Sequence, residues 1–283
     1  MTVVVVTDSA SRLPADLRDT WGIRVVPLHI LLDGADLRDG VDPVPDDIHQ
    51  HEHVTTAAAT PDELRAAYRQ ALADSGGDGV VAVHLSAALS GTLAAAETAA
   101  ADLGAAVRVV DSKTTAMATG FVALAAARAA ADGADVDTVA AAASAAVGRS
   151  HGYIVVHRLD NLRRSGRIGS AAAWLGTALS LKPLLRIDEG KLVLAQRIRT
   201  ASKSVAAMID RVSEIVGDRS AALAVHHVAN PDGADQVAAA LAERLPACPP
   251  AIVTDLGPVL ALHVGQGALA VCVDLDADAP AAR

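Results

Sequence analysis

The sequence predicts an α/β protein of two domains, an amino-terminal domain on a parallel sheet and a carboxyl-terminal domain on a mixed sheet flanked by helices. Three observations carry this. Short β-branched runs alternate with longer alanine-rich segments, as strand and helix do when they take turns along a chain. At ~150 residues per domain, 283 residues with 52% hydrophobic content leave room for two buried cores. The composition changes at Gly148-Arg149-Ser150-His151-Gly152, where an acidic, Ala-rich half gives way to a basic one. The boundary falls there, giving domains 1–149 and 150–283.

Taken in order, Val3 to Val6, Ile23 to Leu31, Val80 to His84 and Val107 to Val110 are runs of strand length and strand composition. Helices are expected over Pro61 to Ala73, Thr92 to Leu103, Thr115 to Ala131 and Val136 to Val147, with Thr60 as N-cap ahead of Pro61 at the first helical position. The second half continues with a strand at Tyr153 to Val156, a Gly-punctuated basic loop and a helix at Ala171 to Leu181. A hairpin then turns at Asp188-Glu189-Gly190-Lys191 and is followed by helix Ser202 to Val216, strand Ala221 to His226, helix Pro231 to Leu245, and strands near Ile252 and Leu269.

Composition excludes several classes of function. Five aromatic residues and a net charge of -9 supply neither stacking platforms nor a basic surface for nucleic acid. The opening Met1-Thr2-Val3-Val4-Val5-Val6-Thr7-Asp8 lacks the basic start of a signal peptide and reads as a strand, and no apolar run reaches the ~18 residues of a membrane span. Cys248 and Cys272 stand outside any CxxC spacing, which suits a reducing interior, so a cytoplasmic location is expected. Charge is uneven: between His157 and Lys203 ten Lys or Arg face three acids, a local +7 able to attract an anionic ligand or partner, or simply a solvated face.

The strongest local signal is Leu85-Ser86-Ala87-Ala88-Leu89-Ser90-Gly91-Thr92, a hydroxyl-rich turn opening a helix. Gly91 lets a ligand approach the backbone, and the first helical N–H groups join the Ser86, Ser90 and Thr92 hydroxyls as donors. Phosphate and carboxylate both suit such a site. The Lys and the spacing of a P-loop are missing, which disfavours nucleotide phosphate. Val5-Val6-Thr7-Asp8-Ser9 is echoed by Val109-Val110-Asp111-Ser112, and both run a strand into Asp-Ser. Such residues either line the ligand crevice at strand ends or cap the next helix.

His263 sits between small residues in what reads as a loop, where Gly265 and Gly267 permit close approach, so it is a candidate donor to a ligand or a structural imidazole. Arg167, between Gly166 and Gly169, could grip a carboxylate or phosphate bidentately or pair with an internal acid. His49, His51 and His53 alternate in an acidic, Pro-rich connection where a solvated loop is the expectation, and His226-His227 point to opposite faces of a strand. Neither predicts a metal, and no cofactor is expected. A Ser90, His263 and Asp8 triad is conceivable, but no strand runs straight into Ser90 and there is no GxSxG elbow.

Together these motifs resemble the DegV family, the fatty-acid-binding proteins that serve as acyl-presenting subunits of bacterial fatty acid kinase. The resemblance runs nearly end to end: Val5-Val6-Thr7-Asp8-Ser9, Val26-Pro27-Leu28, Leu89-Ser90-Gly91-Thr92, Val110-Asp111-Ser112-Lys113, Ser165-Gly166-Arg167-Ile168, Lys182-Pro183, Arg199, and His263-Val264-Gly265 with Gly267-Ala268. It implies a binding protein without catalytic residues of its own, with the acyl tail in the carboxyl-terminal domain. Thr56 and Ser90 of the amino-terminal domain would hold the carboxylate, with His263 as a third contact. A separate ATP-dependent kinase would form the acyl phosphate, with Arg167 and Arg199 meeting that partner or the phosphate, and the protein would touch membranes transiently to exchange lipid. Ala57, Ala58 and Ala59 depart from the family's Ser, Gln and Pro, which leaves Thr56 one hydroxyl neighbour short in a less rigid loop. The alternative reading is a serine-dependent lipid hydrolase or acyltransferase using Ser90 and His263.

Overall fold

The structure is a computed structural model that describes residues 2–45, 48, 51, 53–168 and 181–275. Its contacts divide the chain into two compact units, Met1–Gly148 and Arg149–Arg283.

The first unit runs β1 (Val4–Asp8), α1 (Ala15–Thr20), β2 (Arg24–Val26), β3 (His29–Leu32), β4 (Ala35–Arg38), β5 (Val54–Ala57), α2 (Pro61–Asp74), β6 (Val80–His84), α3 (Thr92–Ala101), β7 (Val107–Asp111), α4 (Met117–Ala131) and α5 (Val136–Val147). Four parallel strands form its main sheet in the order β2-β1-β6-β7. Val6, Val80, Ala82 and Val107 meet Leu64, Tyr68 and Ala71 of α2 and Ala96, Ala99 and Ala100 of α3 in one core. Parallel strands buried on both faces read as continuous apolar runs, which is why β6 is legible in the sequence as Val80 to His84.

Helix α2 starts as its sequence predicts. Thr60 caps the Glu63 N–H at 3.3 Å, the Glu63 carboxylate returns to the Thr60 N–H at 2.8 Å, and Pro61 fills the first position. Helix α4 is buried along nearly its whole length, which small side chains allow. A Cβ at Gly120 would lie 2.8 Å from Met117 Sδ and 2.9 Å from the Ser11 carbonyl oxygen, so only glycine fits there.

The expected single strand Ile23 to Leu31 is two strands in two sheets. Pro27 has no N–H to give a ladder, and after it the chain leaves the parallel sheet. From there β3 pairs antiparallel with β4 on one side and β5 on the other, a three-stranded sheet that no sequence signal predicted.

The second unit runs β8 (Ser150–Val155), α6 (Asp160–Arg164), β9 (Leu184–Asp188), β10 (Lys191–Gln196), α7 (Ala201–Val216), β11 (Ala222–His227), α8 (Pro231–Arg244), β12 (Ile252–Asp255), α9 (Gly257–Val264) and β13 (Leu269–Asp274). The sheet order is β10-β9-β8-β13-β11-β12, antiparallel except for the β11–β12 pair. Met208, Val212 and Val216 of α7 and Val237 and Leu241 of α8 pack on Val155, Leu223, Val225, Val271 and Val273. Leu241 is fully buried, so Leu241→Ala would cost ~2–5 kcal/mol. The β9–β10 hairpin turns as expected at Glu189 and Gly190, whose φ values of 43° and 79° are the pair of positive angles that match the strands' twist. The expected helix Ala171 to Leu181 lies, apart from Leu181, outside the described residues. Among the described residues no helix is long and apolar enough to cross a membrane.

Candidate functional site

Strand β6 delivers its chain into the hydroxyl-rich turn. Ser86 is buried: its hydroxyl accepts from the Ala88 N–H at 3.1 Å, and its carbonyl accepts from Leu89 and Ser90 at 3.0 and 3.1 Å. Thr92 is also buried, its hydroxyl 2.9 Å from that of Ser90, and Ser90 Oγ accepts from the Thr92 N–H at 3.2 Å. Ser86 and Thr92 therefore shape the turn, while Ser90 is half-buried at its surface. Gly91 is exposed in an ordinary helical conformation with φ of -73°, and nothing among the described residues lies within 4 Å of where its Cβ would stand. At the start of the ten-residue helix α3 Ser90 Oγ takes the Thr92 N–H, and the N-cap residue Gly91 brings no side chain of its own.

Beneath the turn lies a chain of polar groups that sequence reasoning missed as a unit. Asp8, Tyr68 and His84 are all 0% exposed. Burial, and then the charge of Asp8, push the Tyr68 phenol far up, so it stays protonated and donates to His84 Nε2 at 2.7 Å. That leaves His84 Nδ1–H to donate to Asp8 Oδ2 at 2.9 Å, while Asp8 Oδ1 accepts from the Ala10 N–H at 3.1 Å. The imidazole of this unit nearest the turn in sequence is thus engaged by tyrosine and aspartate, and the contacts of the Ser90 hydroxyl are to Thr92.

Thr56 lies on β5 and not in a loop: its partner across the ladder is Ile30 of β3, and it is half-buried while Thr55 is exposed. The expected loop at Thr56 is therefore corrected to a strand, which ends at Ala57. Ala57 sits opposite His29 in the ladder, and Ala59 is buried. His29 anchors the small sheet. Its ring reaches Asp36 at 2.7 Å and Glu63 at 3.1 Å; burial works against the cation, but the two carboxylates outweigh it and hold the imidazole pKa above its ordinary value.

In the second unit His263 is on helix α9, not in a loop: the helix opens with Gly257 and Pro258 and runs to Val264 before Gly265 ends it with φ of 82°. Burial, and then the charge of Arg167, push its pKa down to about 4, so the ring is neutral at pH 7 and carries a single N–H. Arg167 follows α6 in a turn closed at Gly166, whose φ is 74°; its N–H meets the Leu162 carbonyl at 3.1 Å and its guanidinium donates to the Ser165 carbonyl. The sequence separated these two residues into a lipid contact and a partner contact, and the fold brings them within electrostatic reach of each other. Arg199 is exposed between β10 and α7. His51 is half-buried, His53 exposed, and His49 lies outside the described residues; among the described residues no three His, Cys, Asp or Glu could share a metal ion.

The architecture and its strand-end hydroxyls define a class, the two-domain α/β proteins pairing a parallel with a mixed sheet. A model of the family described as "Uncharacterised protein, DegV family" matches residues 2–276. The chain belongs to the DegV family. It is 71% identical over 281 residues to a DegV domain-containing protein of Mycobacterium tuberculosis, covering 99% of this chain and 100% of that one. Among solved structures, a fatty-acid-binding DegV family protein from Thermus thermophilus has 33% identity and a TM-score of 0.90, covering 97% of this chain and 99% of its own. DegV of Bacillus subtilis, a fatty acid binding protein, has 28% identity and a TM-score of 0.88 with 98% and 100% covered.

Proposed function

We propose that this chain binds one long-chain fatty acid and presents its carboxylate to a separate ATP-dependent kinase, which forms the acyl phosphate. The observation that carries the reading is the half-buried Ser90 hydroxyl held at the Gly91 start of α3, in a chain whose Thermus relative binds fatty acid. A carboxylate there would accept from Ser90 and from the first N–H groups of the helix around Gly91, with Ser86 and Thr92 holding the turn in shape. Thr56 supplies the second hydroxyl and neutral His263 a further N–H. The acyl tail belongs to the carboxyl-terminal domain, whose core is mainly aliphatic. Burying twelve methylenes at ~0.8 kcal/mol each gives roughly 10 kcal/mol of gross drive, enough for tight binding after ordering costs.

In this reading the protein has no catalytic residue or cofactor of its own and touches membranes only to exchange lipid. Arg167 and Arg199 meet the kinase or neutralise the incoming phosphate. The test is thermal. A delipidated sample should melt higher when palmitate or oleate is added, since a ligand that binds only the native state stabilises it. No shift at ligand far above micromolar would overturn the reading.

A further inference from the structure

The two Asp-Ser segments at the ends of β1 and β7 flank β6, because the sheet order is β2-β1-β6-β7. The chain leaving β6 passes between them and is held from both sides. The Leu85 N–H donates to Asp8 Oδ2 at 3.0 Å, the Ser86 N–H to the Thr114 carbonyl at 2.8 Å, and the Ala87 N–H makes a longer 3.4 Å contact to Asp111 Oδ1. The same Asp111 oxygen accepts from the Lys113 N–H at 2.8 Å, and the Ser112 N–H closes the pair by donating to the His84 carbonyl at 3.0 Å. Since Ala88, Leu89 and Ser90 donate to Ser86, six successive N–H groups from Leu85 to Ser90 have acceptors. Helix capping would need only Asp8 Oδ1, which takes the Ala10 N–H; Oδ2 is given to His84 and to the turn. The neighbouring Ser9 hydroxyl accepts from the Leu28 N–H at 3.1 Å, at the entry to β3, against which the Thr56 strand is paired. One dipeptide thus fixes the Ser90 turn with its first residue and the Thr56 sheet with its second.

We infer that Asp8 and Asp111 are positioning residues that preset the Ser90 turn for an anionic head group, an inference that rests on the fatty-acid reading above. A donor set held in place before the ligand arrives binds more tightly because the ligand need not order it. The charge of Asp8 opposes this. It lies buried behind the turn and repels an incoming carboxylate, so the sign of the affinity change on removing it decides between ordering and repulsion. Asp8→Asn keeps the side chain's shape but cannot supply acceptors to Ala10, His84 and Leu85 together. Asp111→Asn keeps the one oxygen that Ala87 and Lys113 use, and Asp111→Ala does not.

The experiment titrates the delipidated full-length chain with oleate and follows amide hydrogen exchange across residues 85–90, for wild type and the three variants. Asp8→Asn and Asp111→Ala should each weaken oleate binding by about tenfold and speed exchange in the turn, as expected when hydrogen bonds that hold the turn are lost. Asp111→Asn should recover most of what Asp111→Ala loses, which a role for the charge itself would not allow. Oleate binding as tight as or tighter than wild type in Asp8→Asn, with unchanged exchange, would overturn the inference. If Asp8→Asn fails to fold, the Asp111 pair decides the matter by the same comparison. A wild type that binds no oleate would instead sink the fatty-acid reading, and exchange in the variants would still report whether the carboxylates hold the turn.

Discussion

Replacing Ser90 by alanine separates the two jobs that one hydroxyl performs. In the folded chain Ser90 Oγ accepts from the Thr92 N–H at 3.2 Å and lies 2.9 Å from the Thr92 hydroxyl, which is buried. Ser90→Ala removes a cap on the first turn of α3, ~0.5–1 kcal/mol at a partly exposed position, and leaves the Thr92 hydroxyl short of a partner. A stability loss of about 1–2 kcal/mol follows, which lowers the melting temperature by roughly 2–8 °C for a chain of this size. The ligand effect is larger. A charged acceptor losing one donor in a partly dry site costs ~1.5–3 kcal/mol, a fall in affinity of roughly ten- to a hundredfold. Urea melts of delipidated protein read the first quantity and oleate titration the second. Ser90→Thr, which restores a hydroxyl, should recover much of both. A loss of stability in urea with wild-type affinity would reduce Ser90 to a helix cap and refute its assignment to the carboxylate.

Thr56→Ala should weaken oleate binding by a similar ~1.5–3 kcal/mol, and the Ser90→Ala, Thr56→Ala double variant should bind more weakly than either single one in the same titration. Tyr68→Phe strands the buried His84 Nε2 and should cost ~1–3 kcal/mol in urea melts, with little change in lipid affinity because the Asp8 contacts to the turn survive. His263 makes stability depend on pH. Its folded pKa of about 4 lies below the ordinary 6.5, so the unfolded chain takes up the proton first, and stability should fall as pH drops from about 6.5 toward 4. His263→Gln should flatten that part of the pH–stability curve. Arg167→Ala should leave oleate affinity nearly unchanged while kinase-dependent acyl phosphate formation falls, since a cation acting on developing phosphoryl charge contributes in the transition state. Parallel loss of both would assign Arg167 to the carboxylate or the fold.

The elements that were legible in the sequence are those with one dominant signal. Val80 to His84 is apolar throughout because β6 is buried on both faces, and Thr60-Pro61 with Glu63 announces α2 through its capping chemistry. Val136 to Val147 carries its own Asp135 cap, an acceptor for the Thr138 N–H at 2.8 Å. Mixed signals misled. The run Ile23 to Leu31 has strand composition across its whole length, and only Pro27 marks where the chain changes sheets. The stretch around His263, flanked by glycines, reads as a loop although Gly257 and Pro258 open α9, and the segment Val259 to Leu262 is apolar without alternation, so periodicity could not correct the reading.

The site divides in the same way. The hydroxyls of Ser86, Ser90 and Thr92 are neighbours in sequence, so their turn is visible locally. The Asp8, His84 and Tyr68 chain joins residues 76 and 16 positions apart and exists only once β1, β6 and α2 have packed. The repeated Asp-Ser was visible as an echo, but that both copies reach the same turn depends on β6 lying between β1 and β7, a fact of strand order that no local pattern carries.

The most direct test of the central claim needs neither a variant nor a partner. The full-length protein, purified without detergent or added lipid, is weighed intact under native conditions and then extracted with organic solvent for mass analysis of what is released. The account predicts a native mass exceeding the polypeptide by that of one long-chain fatty acid, lost on extraction and recovered in the organic phase as the free acid. A native mass equal to the bare chain, together with no uptake of oleate on incubation, would contradict it, and an acyl group that remained covalently attached to Ser90 after extraction would point instead to acyl-transfer chemistry.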